Sequence, residues 1–142
     1  MDTTFWSYNS GAMIGAGTLL YEATGNRSYL HDAVTEAAGA MRYWTADDRL
    51  YSQPAVFNAY LFNNLLLLDS QTRSRAYLGI ITDYANRIYA NNRDAETGLF
   101  HFGASGGGAP DPNVPAQTLE QSAVVQIFSA LAWRVADWNV IA

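Results

Sequence analysis

The sequence predicts an all-α fold of helical hairpins in which inner and outer helices alternate. Three observations carry that prediction. First, stretches that are apolar on every side alternate with stretches that are apolar along a single stripe. A helix apolar all round is buried, whereas a one-sided helix lies between core and water. Second, the pattern repeats at an offset of 48 residues: Leu19/Leu67, Leu20/Leu68, Thr24/Thr72, Arg27/Arg75, Tyr29/Tyr77, Leu30/Leu78 and Ala37/Ala85 are identical. The repeating unit is one inner helix followed by one outer helix. Third, 49% of the residues are apolar and only 15% are charged, which is the composition of a packed chain. Such hairpins build an open solenoid or a closed double ring. The fully apolar helices favour the ring, because they need neighbours on both sides. A length of 142 residues suits one domain, 1–142, of about five helices.

The first inner helix is expected over about 9–24, where Ala12, Met13, Ile14, Leu19 and Leu20 leave no polar face. Gly15 and Gly17 lower helix propensity but permit close backbone approach. Gly25 ends the helix, since glycine readily takes the left-handed position there. Ser28 is expected to cap the second helix, which runs to about Trp44. Leu30, Ala33, Val34, Ala37, Met41 and Trp44 form its apolar stripe, with Asp32, Thr35 and Glu36 opposite. Residues 45–53 read as a polar turn. Pro54 opens a third helix, where its missing N–H does no harm. From Ala55 to Asp69 the chain is apolar nearly all round. A one-sided helix follows from Ser74 to about Asn91. Residues 92–116 are rich in Gly and Pro and read as a long loop, a length that is usually functional or mobile. A fifth helix, apolar throughout, is expected from Gln117 to about Ala136.

Composition excludes several functions. The net charge is −5 and the eight basic residues, all Arg, are scattered, so no basic stripe for nucleic acid exists. No cysteine is present, which removes disulfides and thiolate metal sites. His31 and His101 are isolated, and two lone histidines do not make a zinc site. No cofactor is expected. Gly106-Gly107-Gly108 lacks the Lys-Ser/Thr and the preceding strand of a phosphate loop. The run Leu65 to Leu68 is too short to span a membrane. The first residues show neither the basic region nor the apolar run of a signal peptide.

The helix–Tyr21-Glu22-Ala23-Thr24-Gly25-Asn26-Arg27-Ser28-Tyr29-Leu30–helix unit resembles the hairpin of six-hairpin (α/α)6-barrel glycosidases. Three further stretches resemble glycoside hydrolase family 76. Ser7-Tyr8-Asn9-Ser10-Gly11 is similar to its Thr-Tyr-Asn-Gln-Gly motif, with Ser10 in place of the Gln. Phe57-Asn58-Ala59-Tyr60-Leu61-Phe62-Asn63 is similar to its Phe-Lys-Gly-Ile-Phe-x-Arg helix, with Asn58 and Asn63 replacing the basic residues. Gln121 to Gln126, followed by Ala130-Leu131-Ala132, resembles its last inner helix. The resemblance implies a partial (α/α)6 barrel, the C-terminal half of the family's domain. It further implies endo-α-1,6-mannanase activity on a mannan-type glycan, by retention, through two adjacent aspartates. That pair lies in the family's N-terminal half, so no catalytic residue is expected here. Relatives are mostly exported, and localisation stays open.

In a double ring the inner helices run parallel and their N-termini gather at one end. That end collects Trp6, Tyr8 and Asn9, then Tyr51, Gln53 and Phe57, then Phe100, Gln117 and Gln121. Aromatic rings and amides suit a neutral sugar, offering a face for stacking and partners for hydroxyls. Trp6, Tyr8, Asn9, Gln53, Phe57, Phe100 and Gln121 are therefore the candidate sugar-binding residues, with Tyr8 and Phe57 equally readable as core. A glycosidase needs two carboxylates roughly 5–10 Å apart. Asp47-Asp48 is the sole adjacent pair and reads better as a solvated turn. Asp32 and Glu36 face water, and Asp94 and Glu96 sit in the long loop. Glu120 opens an inner helix, where complementing the helix dipole is the simpler role. His101 reads as loop packing. A half ring leaves apolar flanks uncovered, which predicts self-association; a helical-repeat interaction module is the alternative function.

Overall fold

A computed structural model describes residues 5–140. Six α-helices follow one another: α1 (Ser7–Thr24), α2 (Arg27–Trp44), α3 (Arg49–Ser52), α4 (Ala55–Thr72), α5 (Leu78–Asn91) and α6 (Thr118–Ala132). Two 3-10 segments, Ala46–Asp48 and Val135–Val140, complete the elements. Among the described residues the only β-type pairing is an isolated antiparallel bridge between Arg93 and Phe100. The chain is all-α, as the hairpin pattern predicts.

The contacts fix the direction of each helix. Along α1 and α4, Ser7 meets Asn58, Gly11 meets Leu61, Gly15 meets Asn64 and Glu22 meets Gln71. The partner advances with the residue, so these two inner helices are parallel. α6 joins the same array, with Glu120 against Val56 at one end and Gln126 beside Asn63 further along. α2 returns antiparallel on α1: Phe5 faces Tyr43, Ser10 faces Trp44 and Gly17 faces Ala33. α5 does the same on α4 through Phe62–Tyr84 and Asp69–Tyr77. The inner layer is thus α1, α4 and α6, and α2 and α5 lie outside it.

Burial separates the three inner helices. α4 is central, and Leu61, Phe62 and Leu65 to Leu68 are all essentially inaccessible. α1 and α6 were expected to be buried all round and are not. Met13 is 64% exposed and Val125 65%, and Leu19, Leu20 and Leu119 are also exposed. The reason is position: α4 has an inner helix on each side, whereas α1 and α6 each have one. Small residues make the α1–α4 seam. A Cβ on Gly11 would stand 2.8 Å from the Leu61 Cα, and one on Gly15 would overlap the Asn64 amide.

The repeat is visible in the turns. Gly25 after α1 and Arg73 after α4 both adopt the left-handed conformation, with φ of 69° and 54°. Each sends its N–H to the carbonyl four residues back, Tyr21 and Asp69 respectively. The two turns then cap the next helix differently. Asn26, not Ser28, caps α2 by accepting from the Ser28 N–H at 3.1 Å. After α4 the buried Asp69 carboxylate accepts from the Ser74 hydroxyl and from the N–H groups of Ala76 and Tyr77. That turn holds residues 74–77 out of the helix, so α5 begins at Leu78 rather than Ser74. At the other end α6 stops at Ala132, four residues short of the expected Ala136. Trp133 is extended, and the following 3-10 segment buries Trp138 in the core.

Candidate functional site

The N-terminal ends of α1, α4 and α6 meet, and backbone chemistry explains how. The first N–H groups of a helix lack intrahelical partners. On α1 the Ser7 N–H donates to the Gln53 Oε1 at 2.9 Å, and the Ser7 hydroxyl donates to the Asn58 Oδ1 at 2.9 Å. The buried Asn58 amide also donates to the Leu50 carbonyl at 2.7 Å, tying α3 to the same point. On α4 the Val56 N–H donates to the Glu120 Oε2 at 3.3 Å, and the Ala55 N–H to the Gly106 carbonyl at 2.9 Å. The starts of α1 and α4 are therefore each met by a neighbouring element.

Aromatic residues form a wall beside this junction. Phe57 receives Trp6 edge-on at 5.4 Å between ring centres and Tyr8 edge-on at 4.7 Å. Such edge-to-face pairs fix ring orientation. Tyr8 is 37% exposed, and Trp6 and Phe57 are half-buried. Asn9 is exposed, and its amide makes no side-chain hydrogen bond among the described residues. A cavity of about 240 Å³ is lined by Trp6 and Asn9 together with Phe5, Tyr43 and Trp44, so it opens toward α2. Ser10 also faces α2, accepting from the Trp44 indole N–H at 3.1 Å.

The remaining candidates serve the scaffold through at least part of their polar capacity. Gln121 accepts from the Phe100 N–H at 3.0 Å and donates to its carbonyl at 2.7 Å, clasping the long loop to α6. The Phe100 ring lies 6.1 Å from that of Phe128. Gln53 keeps its NH₂ and one lone pair of Oε1 for other partners. Trp6, Tyr8, Asn9, Gln53 and Phe57 thus come together at the α1–α4 end, and Phe100 and Gln121 at the α6 end. Asn92 organises the loop and was not singled out in the sequence. It accepts from the Tyr51 hydroxyl and donates to the carbonyls of His101 and Gly108. An asparagine at the close of a helix, opening the long Gly- and Pro-rich loop, is the sequence signal that marks it.

The carboxylates are placed as structural groups. Glu120 is buried, with its carboxylate against the start of α4, and a Cβ on Gly106 would collide with it. Burial raises its pKa above the usual carboxylate value, partly offset by the N–H groups of Val56 and Ala55. Asp47 pairs with Arg49 at 2.7 Å, and Asp48 pairs with Arg87 through both oxygens at 2.8 and 3.0 Å. Hydrogen bonding by Arg87, and then its charge, lowers the Asp48 pKa. Asp94 accepts from the N–H groups of Glu96 and Thr97 and from the Thr97 hydroxyl, an Asx-type turn that lowers its pKa. His31 and Asp32 are exposed, 3.5 Å apart. Among the described residues no cluster of three potential metal ligands exists, and no helix is long and apolar enough to cross a membrane.

The sequence profile of glycosyl hydrolase family 76 matches residues 1–111. This chain belongs to glycosyl hydrolase family 76. The family 76 match takes in both complete hairpins, α1–α2 and α4–α5, and the aromatic wall. It ends within the long loop, so α6 lies beyond it. No curated protein matches the chain. Family 76 membership agrees with the all-α hairpin architecture and makes a glycan the substrate class of the family member.

Proposed function

We propose that this chain forms one wall of a family 76 glycan site and binds mannose-containing polysaccharide, with no hydrolytic activity of its own. The observation that carries the reading is the Trp6–Phe57–Tyr8 wall with the Asn9 amide beside it, at the shared end of parallel inner helices. Pyranose rings present apolar C–H faces that stack on aromatics, and their hydroxyls take amide hydrogen bonds. Among the described residues, the carboxylates are engaged with Arg side chains or backbone N–H groups, or are exposed. None stands as a free pair across a bond. Titration of the purified chain with α-1,6-mannotetraose tests the binding. Tyr8→Ala should weaken it at least tenfold, and an unchanged affinity would remove the wall from the site. Release of reducing sugar from α-1,6-mannan by the chain alone would overturn the inactive part.

A second reading is a non-catalytic helical-repeat module that associates through its edges. It is favoured by the exposed Met13, Leu19 and Leu20 on α1 and Val125 on α6. Sedimentation across a concentration series separates the two. Self-association that Leu20→Glu abolishes, with no mannan affinity, would select the module.

A further inference from the structure

The glycine run of the long loop supplies no ring or amide side chain to the aromatic wall, yet it is tied to it. Residues 103–108 form a strap between the first turn of α6 and the connection from α3 to α4. The Gly108 N–H donates to the Tyr51 carbonyl at 2.8 Å, and the Gly106 carbonyl accepts from the Ala55 N–H at 2.9 Å. Within the strap the Gly106 N–H donates to the Gly103 carbonyl at 2.8 Å, and the Gly103 N–H to the Gly107 carbonyl at 3.0 Å. The Asn92 amide holds the Gly108 carbonyl at 2.9 Å, which anchors the strap to the end of α5.

The strap has no room for side chains where it is gripped. Gly106 and Gly107 are buried, and Gly106 stands in the left-handed region with φ of 82°. A Cβ on Gly106 would overlap the Glu120 carboxylate. One on Gly107 would overlap the Gln53 carbonyl and stand 2.8 Å from the Ser52 oxygen. Both of the Gly107 neighbours are backbone atoms, so no rotamer change relieves that contact. The strap is wedged between α6 and the Gln53 main chain, and it sets where Gln53 lies.

Gln53 carries that position to α1. Trp6 is the N-cap residue of α1, and its indole, a donor only, makes no cap hydrogen bond. The Ser7 N–H donates instead to the Gln53 Oε1 at 2.9 Å, across 46 residues of sequence. Ser7 stands between Trp6 and Tyr8, the two rings set edge-on to Phe57. A displaced Gln53 therefore shifts the start of α1 against α4, and the two rings move with it. We propose that the glycine strap 103–108 positions the aromatic wall through Gln53, with Gly107 and Gln53 as positioning residues. The effect on sugar affinity rests on the glycan reading above; the hold of Gln53 on Ser7 and Trp6 is independent of it.

The test reads the Ser7 amide and Trp6 indole resonances of the ¹⁵N-labelled chain, first without ligand and then during titration with α-1,6-mannotetraose. Gly107→Ala drives a methyl group into the Gln53 backbone, and Gln53→Met removes the acceptor at similar length. Each should shift both resonances without ligand and weaken the affinity at least fivefold. Gln53→Glu keeps an oxygen acceptor for Ser7 but loses the NH₂, and should bind within about twofold of the parent. Glu96→Ala, in the same loop but outside the strap, should change neither reading. Should Gly107→Ala lose its helical circular dichroism, the Gln53→Met and Gln53→Glu pair decides. Unmoved Ser7 and Trp6 resonances in folded Gln53→Met would overturn the proposal. So would an affinity loss that Gln53→Glu shares, which marks direct contact of the Gln53 amide with sugar. A parent chain that does not bind the tetraose counts against the glycan reading, and the ligand-free resonances then decide the strap by themselves.

Discussion

Gly11→Ala tests the parallel α1–α4 seam directly. Helix propensity alone favours the change by up to about 1 kcal/mol, since glycine is a poor helix former. The structure reverses the sign. The new Cβ would stand 2.8 Å from the Leu61 Cα and 3.2 Å from its nitrogen, and both are backbone atoms. No rotamer change relieves that contact, so α1 and α4 must separate. Overpacking of this kind costs typically ~1–3 kcal/mol, which leaves a net loss of about 1 kcal/mol after the propensity gain. Gly39 is the control. It lies within α2, and a Cβ there meets nothing within 4 Å. Gly39→Ala should therefore gain about 0.5–1 kcal/mol. The two variants should differ by about 2 kcal/mol, or ~8 °C in Tm at roughly 4 °C per kcal/mol for a domain of this size. Urea and thermal unfolding followed by circular dichroism measure both. Equal stabilisation by the two substitutions would refute the close α1–α4 packing.

Three further outcomes follow from single side chains. Glu120 titrates above its ordinary value of 4.5 because of burial, so its ionised form is a net cost to the fold. That cost is absent below pH 4.5 and grows as pH rises through the folded-state pKa. Glu120→Gln should therefore gain on the parent over that window and hold the gain at neutral pH, whereas Glu120→Ala leaves the Val56 N–H without its side-chain acceptor and loses about 1–3 kcal/mol; unfolding at pH 4 and pH 7 distinguishes them. Asp69→Ala removes the acceptor of Ser74, Ala76 and Tyr77 at once, and should cost about 3 kcal/mol in urea unfolding, with Asp69→Asn milder. Arg73→Gly relieves a left-handed position and should stabilise by about 0.5–1 kcal/mol in the same assay, a gain that vanishes if the α4 C-terminus takes another conformation.

Much of the fold was legible because its signals are local. The alternation of all-apolar and striped helices, the 48-residue repeat and the Gly25 stop each depend on residues within a few turns. The site was less legible. Trp6, Tyr8 and Phe57 could be placed near one another, since parallel inner helices bring their ends together. That Gln53 and Gln121 hold backbone amides could not be read, because their partners, Ser7 and Phe100, lie 46 and 21 residues away. Glu120 shows the same gap. Its place in the first turn of α6 pointed to that helix's own dipole, and it caps α4 as well, 64 residues distant.

The sequence by itself determined the helix count to within the short segments, the inner and outer roles, and the likeness to family 76. Periodicity and turn chemistry are properties of neighbouring residues, so these needed no coordinates. Only the tertiary structure decided which apolar helix is buried. α1, α4 and α6 carry nearly the same apolar pattern, and only α4 lies between two others. Burial is a property of the neighbours a helix finds, and the neighbours come from distant parts of the chain. For the same reason the sequence could propose Trp6 to Gly11 as a sugar wall, but only packing turned Ser10 toward Trp44 and set Tyr8 against Phe57.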